Sequence, residues 1–342
     1  MYIYKLLKLN QFIKSHRIKF LGIWLLNIFN KRYLSLQFDP VLACNFKCKM
    51  CYFTDVEIVK KLKGIFKKED LSIIAKVNFR NALRLQIGCG AEPTLFKHNL
   101  DIIKLAKEYK IPHVSMVTNG SLLSQDDIEK FSKGGLNEFI ISMHGVEKSS
   151  YEEFMDKGNY EKFHEVLHLI TEEKKTNTKL TLRINYTFNE DNFEELNQFF
   201  NKFGQYDIDV IQLRPIDKIG ETAYNNFSLK KIEFLYKPLI EELANKAKEK
   251  NITFLAPSSI ERNENENSVK STNNSSYLIP YVYCYIAPDF FWKENFDWKN
   301  QTFSQWKRKN KWNKILFKNI FISKNKLDTI NRNMLNYSVV IN

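Results

Sequence analysis

The stretch YLSLQFDPVLACNFKCKMC, residues 33–51, decides how the rest of the chain is read. Residues 33–41 form a short β-like run, the first strand candidate. Directly behind it stand Cys44, Cys48 and Cys51, a C-x3-C-x2-C cluster whose three thiolates can converge on one centre from a single loop. Thiolates at this spacing suit soft metals, zinc or iron-sulfur. A structural zinc wants four ligands, and no fourth Cys or His lies close by; the next candidate, Cys89, falls at the end of another predicted strand. Three thiolates would leave one iron of a cluster open to a substrate or cofactor.

Outward from this stretch, β-like runs alternate with helix-like ones. After the first strand come a helix at 70–79, a strand at 83–87, a helix at 100–109 and a strand at 113–118. Ser124, followed by Asp126 and Asp127, opens the next helix as a capping serine, and a strand follows at 138–142. Leu180, Leu182, Ile184 and Tyr186 alternate in the fifth strand. Residues 193–203 read as a helix, 210–214 as the sixth strand, and a helix at 231–250 closes the series. Six strands each followed by a helix imply an α/β fold with a parallel sheet, either doubly wound or curled into a full or partial barrel. In both, the active site lies at the strand C-terminal ends.

The 342 residues are 44% hydrophobic and 14% aromatic, enough for a large core. Five cysteines, three of them within residues 44–51, are no disulfide scaffold and imply a reducing, cytoplasmic setting. The net charge of +13 is concentrated at the ends. Residues 1–43 carry seven Lys/Arg against one Asp, and residues 290–342 carry eleven Lys/Arg against three acids, which leaves residues 44–289 at −1. Basic ends could hold RNA, an acidic peptide or anionic lipid, or follow simply from a Lys- and Asn-rich composition. The apolar run at 20–29 would be about 15 Å long as a helix, against roughly 30 Å of hydrocarbon core, so it cannot span a membrane. Residues 1–32 are therefore expected to be a helical segment packed on its own domain, with peripheral membrane contact as the alternative. Residues 261–276 are polar without an apolar period and read as a flexible connector before an aromatic, basic tail.

The cysteine cluster behind a first strand resembles the defining motif of the radical S-adenosylmethionine (SAM) superfamily. That resemblance implies a partial (β/α)6 TIM-type barrel and a 4Fe-4S cluster on Cys44, Cys48 and Cys51. It also implies SAM chelated to the open iron, and a reductive cleavage giving a 5′-deoxyadenosyl radical that abstracts hydrogen from a substrate. An electron donor such as a flavodoxin or ferredoxin would be needed. Gly90, Ala91, Glu92 and Pro93, after the second strand, resemble the family's Gly-Gly-Glu-Pro motif, with Ala91 in place of the second glycine. Backbone carbonyls there would face the SAM ammonium, while Glu92 would order the loop.

Asn119 in Thr-Asn-Gly after the third strand, and Ser142 in Ser-Met-His-Gly after the fourth, are similar to family positions near ribose or the methionine carboxylate. Thr-Asn-Gly is also a common turn. Arg183 and Asn185 share one face of the fifth strand by its two-residue period, where similar enzymes place carboxylate- or ribose-binding groups. Leu213 and Arg214 resemble the region packed on adenine, and Met50 stands where the family usually has an aromatic residue near adenine. His144 reads as hydrogen-bonded structure rather than as a catalytic base, and Cys284 and Cys89 as inert thiols, with Cys89 beside the implied SAM site.

The resemblance covers about residues 33–255. The expected organisation is a basic, apolar helical segment at 1–32, the core at 33–255, a polar linker at 256–280 and a basic, degenerate SPASM-like extension at 281–342. One cysteine, Cys284, cannot hold an auxiliary cluster, so residues 281–292 and the tail are expected to cap the barrel. The implied activity is that of a radical SAM enzyme acting on a peptide, protein side chain or small metabolite, without a transmembrane segment. Two alternatives stand beside it: a radical SAM enzyme acting on RNA, and a zinc-dependent nucleic-acid binder using the three cysteines as a knuckle.

Overall fold

The computed structural model describes residues 2–216, 228–260, 276–291, 296–323, 326–327 and 339–341. Most of the expected linker, residues 261–275, and Trp292 of the expected cap lie outside these. Two helices open the chain, α1 (Tyr2–Phe12) and α2 (His16–Ile28), in place of a single segment. Then come β1 (Leu34–Phe38), α3 (Val56–Lys61), α4 (Lys68–Asn78), β2 (Ala82–Ile87), α5 (Asn99–Glu108), β3 (His113–Thr118), α6 (Gln125–Gly134) and β4 (Glu138–Met143). They are followed by α7 (Lys148–Phe154), α8 (Tyr160–Thr176), β5 (Thr181–Phe188), α9 (Phe199–Phe203), β6 (Val210–Pro215), α10 (Glu233–Glu249) and β7 (Thr253–Pro257). The C-terminal part adds α11 (Ile279–Val282), β8 (Tyr283–Ala287), β9 (Phe290–Phe291), α12 (Phe303–Lys309), α13 (Trp312–Ile320) and β10 (Val339–Ile341).

All ten strands join one sheet in the order β10-β7-β6-β5-β4-β3-β2-β1-β8-β9. From β1 to β7 every neighbour pair is parallel, which is the α/β arrangement of a partial barrel. Ser124 accepts a hydrogen bond from the Asp127 N–H, and Gly135 ends α6 in the left-handed region, so both ends of that helix close as the sequence indicates.

The seventh parallel strand corrects the expected boundary at 255, which would cut β7 in two. Phe254, Leu255 and Ala256 are buried there, so the strand belongs to the core. A second correction concerns the C-terminal extension. Residues 283–287 do not lie over the barrel but beside β1 as a parallel strand, with Tyr283 opposite Ser35 and Tyr285 opposite Gln37.

The two faces of the sheet differ in kind. Leu34, Leu36, Phe38, Leu85, Ile87, Met116, Phe139, Ile141, Leu182, Ile184 and Leu213 are no more than 1% exposed and pack under the helices. The alternate residues are mostly polar, Ser35, Gln37, Asp39, Arg84, Gln86, His113, Ser115, Glu138, Ser142, Arg183, Asn185, Gln212 and Arg214, with Val117, Ile140 and Val210 as the apolar exceptions. A parallel sheet covered by helices on both sides would be apolar on both. One polar face means that the concave side is a lumen built for polar contents. Among the described residues, no helix is long and apolar enough to cross a membrane.

Candidate functional site

The mouth of the lumen forms where β1 to β6 end. Cys44, Cys48 and Cys51 sit on the loop after β1, half-buried, with the Cys51 N–H donating to the Cys48 carbonyl at 2.8 Å and the Phe46 N–H to the Cys44 sulfur at 3.4 Å. Burial, and after it the nearby Glu92 carboxylate and Cys51, pushes the Cys44 thiol up to about 12 against the pull of the Phe46 N–H. Cys48 is raised by burial and then by Cys51 and Cys44; Cys51 is raised by burial. Among the described residues no three His, Cys, Asp or Glu side chains gather closely enough for a single metal ion. The three thiols are nonetheless near enough for their charges to act on one another, and three soft sulfur donors on one loop are the donor set an iron-sulfur cluster takes.

Two buried carboxylates fix the loops around these cysteines. Asp39, just beyond β1, accepts from the Cys89 N–H at 2.7 Å, the Gly90 N–H at 2.9 Å and the Tyr285 hydroxyl at 2.8 Å. Burial raises its pKa, and these donors oppose the rise. Glu92 accepts from the Thr94 N–H at 3.1 Å, the Thr94 hydroxyl at 2.6 Å, the Thr118 hydroxyl at 2.6 Å and the Asn119 N–H at 2.9 Å. Its own N–H donates to the Ala43 carbonyl at 2.9 Å. One carboxylate thus ties the loop after β2 to the loop after β3, and its backbone ties both to the cysteine loop. Burial raises the Glu92 pKa as well. The ordering role expected of Glu92 is what its bonds perform.

The turn carrying this motif requires glycine at its start. Gly88 has φ +80°, and a Cβ there would meet the Val117 carbonyl oxygen at 2.3 Å. Pro93 begins a short 3-10 turn whose Thr94 N–H the Glu92 side chain caps. The Gly90 carbonyl accepts from the hydroxyl of Tyr52, the residue after Cys51, which ties this turn to the cysteine loop. Asn119 braces rather than projects: its Oδ1 accepts from the Ser121 N–H at 3.0 Å and hydroxyl at 2.7 Å, and its Nδ2 donates to Asn45 at 2.9 Å. Asn45 belongs to the cysteine loop, so this is a second strut to it.

Ser142 faces the lumen beside Asn185 in the β4–β5 register. Arg183 donates from Nε to Asn185 Oδ1 at 2.8 Å, which confirms their common face, and also to Gln212. Its other end turns away from the mouth, to the Tyr4 hydroxyl at 3.2 Å. Leu213 needs correction: it packs in the core with Tyr186, on the face of β6 opposite Gln212, so Gln212 and Arg214 are the lumen residues. Met50 is 8% exposed and belongs to the main apolar core. His144 is buried and lowered to about 3 by burial and then by the Arg214 charge, which makes it a neutral ring. Cys284 is fully buried in β8, with the Asn78 amide at 3.8 Å from its sulfur.

The lumen residues that the sequence did not reveal are Asp39, Tyr283, Tyr285 and Arg84. Cys89 is open to the cavity yet walled in by the strands around it; this enclosure and the Asp39 charge push its thiol up to about 11 against the pull of the Tyr283 hydroxyl, Arg214 and Arg84. The same two guanidinium groups act on Tyr283, which places Arg84 and Arg214 at one corner of the lumen. Buried lumen atoms without a hydrogen-bond partner are Gln37 Oε1, Arg84 Nε and Ser115 Oγ. Buried polar groups are normally satisfied; these stand where a bound molecule would satisfy them.

Comparison with known proteins places this geometry. Residues 40–200 match the Radical SAM superfamily model. A probable GTP 3′,8-cyclase of Sulfurisphaera tokodaii is 27% identical over 223 residues, 64% of this chain and 69% of the relative. That of Sulfolobus acidocaldarius is 27% identical over 210 residues, 60% of this chain and 64% of the relative. Among solved structures, native anSMEcpe with bound AdoMet superposes with a TM-score of 0.52 at 20% identity, over 64% of this chain and 62% of that one. Streptococcus suis SuiB bound to the precursor peptide SuiA gives 0.57 at 18% identity, over 79% and 62%. These two likenesses are of fold.

Proposed function

We propose, from the match of residues 40–200 to the Radical SAM superfamily model, that this chain is an enzyme in which Cys44, Cys48 and Cys51 would hold a 4Fe-4S cluster beside a SAM site walled by Gly90, Ala91, Glu92 and Pro93. When bound, the cluster and SAM supply a 5′-deoxyadenosyl radical that removes a hydrogen atom from the substrate. The observation that carries this reading is Glu92, whose side chain and N–H join the loops after β1, β2 and β3 around the three cysteines.

The protein's own part is to position and to enclose. Asp39 fixes the backbone of residues 89 and 90 through their N–H groups. Glu92 and Asn119 keep the cysteine loop at a set distance from the ends of β2 and β3. Ser142 and Asn185 offer lumen-facing polar groups to SAM, and His144, buried beside Arg214, is a weak base. With its inner face polar, the barrel separates the reacting atoms from bulk water, which a reactive radical needs.

The substrate we infer is a peptide, protein side chain or small metabolite that carries an anionic group to Arg84 and Arg214. Both arginines act on Cys89 and Tyr283 at one corner of the lumen, and Arg84 Nε lacks a partner there. A purine nucleotide is the second reading, favoured by the relatives named GTP 3′,8-cyclase. A flavodoxin- or ferredoxin-like donor would deliver the electron.

Anaerobic reconstitution with iron and sulfide, then dithionite and SAM, tests the class. The expected result is a brown protein that releases 5′-deoxyadenosine, with release abolished in Cys48→Ala. A colourless protein holding one zinc and leaving SAM intact would overturn the reading.

A further inference from the structure

We propose that helices α2 and α13 together form a docking face for a membrane surface rich in anionic phospholipid. The inference is independent of the chemistry at the barrel mouth.

Each helix has a core side and a second apolar side that the described residues leave exposed. In α2, Phe20, Ile23 and Asn27 are buried, while Ile18, Leu21, Leu25 and Ile28 are 57%, 41%, 39% and 40% exposed. These four recur at three- and four-residue steps, one stripe of a helix turned away from the fold. Phe29 prolongs it at 66% exposed. In α13, Trp312, Leu316, Asn319 and Ile320 face inward, while Phe317 and Phe321 are 44% and 66% exposed. The stripes are continuous, because Trp24 of α2 meets Phe317 with ring centroids 5.2 Å apart, and Phe317 meets Phe321 at 5.3 Å. Single exposed apolar residues are ordinary; a stripe shared by two packed helices is not.

Charge decides the occupant. Residues 1–32 contain seven Lys/Arg and no Asp or Glu, and residues 299–326 contain nine and none. Arg17, Lys31, Arg308, Lys311, Lys314 and Lys318 are all exposed around the apolar stripe. A cleft between α2 and the α12–α13 pair is lined by Lys307, Arg308, Lys311 and Lys314 with Asn27 and Asn313, room for an anionic headgroup beside the apolar face. RNA would be served by the cations alone and would leave seven aliphatic and aromatic side chains against water. A lipid surface uses both, the apolar stripe entering the acyl boundary and the cations meeting headgroup phosphates. At thirteen residues, about 20 Å, α2 can lie along such a surface but cannot cross it.

The face is also held away from the mouth. The Tyr33 hydroxyl donates to Asn27 at 2.9 Å and accepts from the Trp312 indole at 3.3 Å, so both helices are anchored at the start of β1, whereas the cysteines follow its end. Docking therefore leaves the lumen free.

The test is flotation of the full-length protein with vesicles of phosphatidylcholine alone and with about one third phosphatidylglycerol, at low and high salt. The expected result is binding to the anionic vesicles only, weakened by salt. Binding should be lost in Leu21→Asp/Leu25→Asp and in Phe317→Asp/Phe321→Asp, and reduced about fivefold per position by Lys314→Gln and Lys318→Gln. The substitutions at Leu21, Leu25, Lys314 and Lys318 should leave the thermal midpoint unchanged, whereas Phe317→Asp, which removes the ring contact with Trp24, should lower it slightly. Equal, salt-insensitive binding to both vesicles would overturn the proposal. So would RNA binding that fails in the lysine variants while the leucine and phenylalanine variants keep it, or a dimer that the aspartate variants dissociate and that ignores vesicles.

Discussion

The two ends of the barrel lumen use buried carboxylates in opposite ways. At the mouth, Asp39 and Glu92 accept mainly from backbone N–H and hydroxyl groups of loops, and burial raises both. At the floor, Glu138 accepts from the Tyr4 hydroxyl and lies 3.1 Å from His113 Nε2. Burial works to raise Glu138 too, but His113, Arg183 and Tyr4 together hold it below the ordinary carboxylate value. The floor is a side-chain plug: α1 seats Tyr4 against Val210 and Leu255 and closes the lumen around a hydrogen-bonded cluster of Tyr4, His113, Glu138 and Arg183. The mouth is a frame, whose carboxylates position backbone and leave space between them. The difference teaches where chemistry and stability are separately held.

Removing the floor's charge should cost most. Glu138→Ala leaves Arg183 in the lumen without its countercharge, and breaking such a buried cluster costs about 3–5 kcal/mol. A lowered denaturant midpoint should show this, while SAM cleavage per folded molecule changes little. A large loss of cleavage in the variant that still folds would break the division between the two ends.

At the mouth the order of effects reverses. Glu92→Gln keeps the shape but turns an amide NH2 toward one of its four donors, a mismatch of about 1–3 kcal/mol. Because it supports the cysteine loop from behind, SAM cleavage should fall about 10–100-fold. The kinetics of 5′-deoxyadenosine release would read this, against an unchanged value if Glu92 were merely structural.

Acid sharpens the comparison further. Glu138, lowered in the fold, contributes stability that is complete above the unfolded carboxylate value near 4.3 and is lost as pH falls through its folded value. Asp39 and Glu92, raised in the fold, contribute with the other sign: their part is present at low pH and lost as pH rises through their folded values. The stability gap between wild type and Glu138→Gln should therefore narrow on acidification, while that for Glu92→Gln should widen. Denaturant midpoints measured across the acid range would show whether the two gaps move in opposite directions.

Tyr4→Phe is the mildest change. It removes one hydroxyl from the floor and should cost about 1–2 kcal/mol with no effect on SAM cleavage, read from the thermal midpoint.

Much of the frame was legible in the sequence because it is local. The six strands and most of their helices follow from periodicity, and His113–Thr118 appears with the expected bounds. Cys44, Cys48, Cys51 and Glu92 carry their own spacing and motif. What escaped is long-range. Tyr285 reaches Asp39 across 246 residues and Tyr4 reaches Glu138 across 134, and nothing near either residue announces the partner. Helix α8, although seventeen residues long, was not assigned. Strands β7 and β8 are short apolar runs beside polar or aromatic sequence, a pattern that periodicity does not resolve. Leu213 was misplaced for the simplest reason, that a one-residue choice on a strand selects the opposite face.

The most direct test of the central claim is the electron paramagnetic resonance spectrum of the reconstituted, dithionite-reduced protein before and after SAM. The account predicts a reduced-cluster signal whose shape changes when SAM is added, because three cysteines leave one iron free to take it. A spectrum identical with and without SAM would contradict the claim that the frame around Cys44, Cys48 and Cys51 is built to receive SAM.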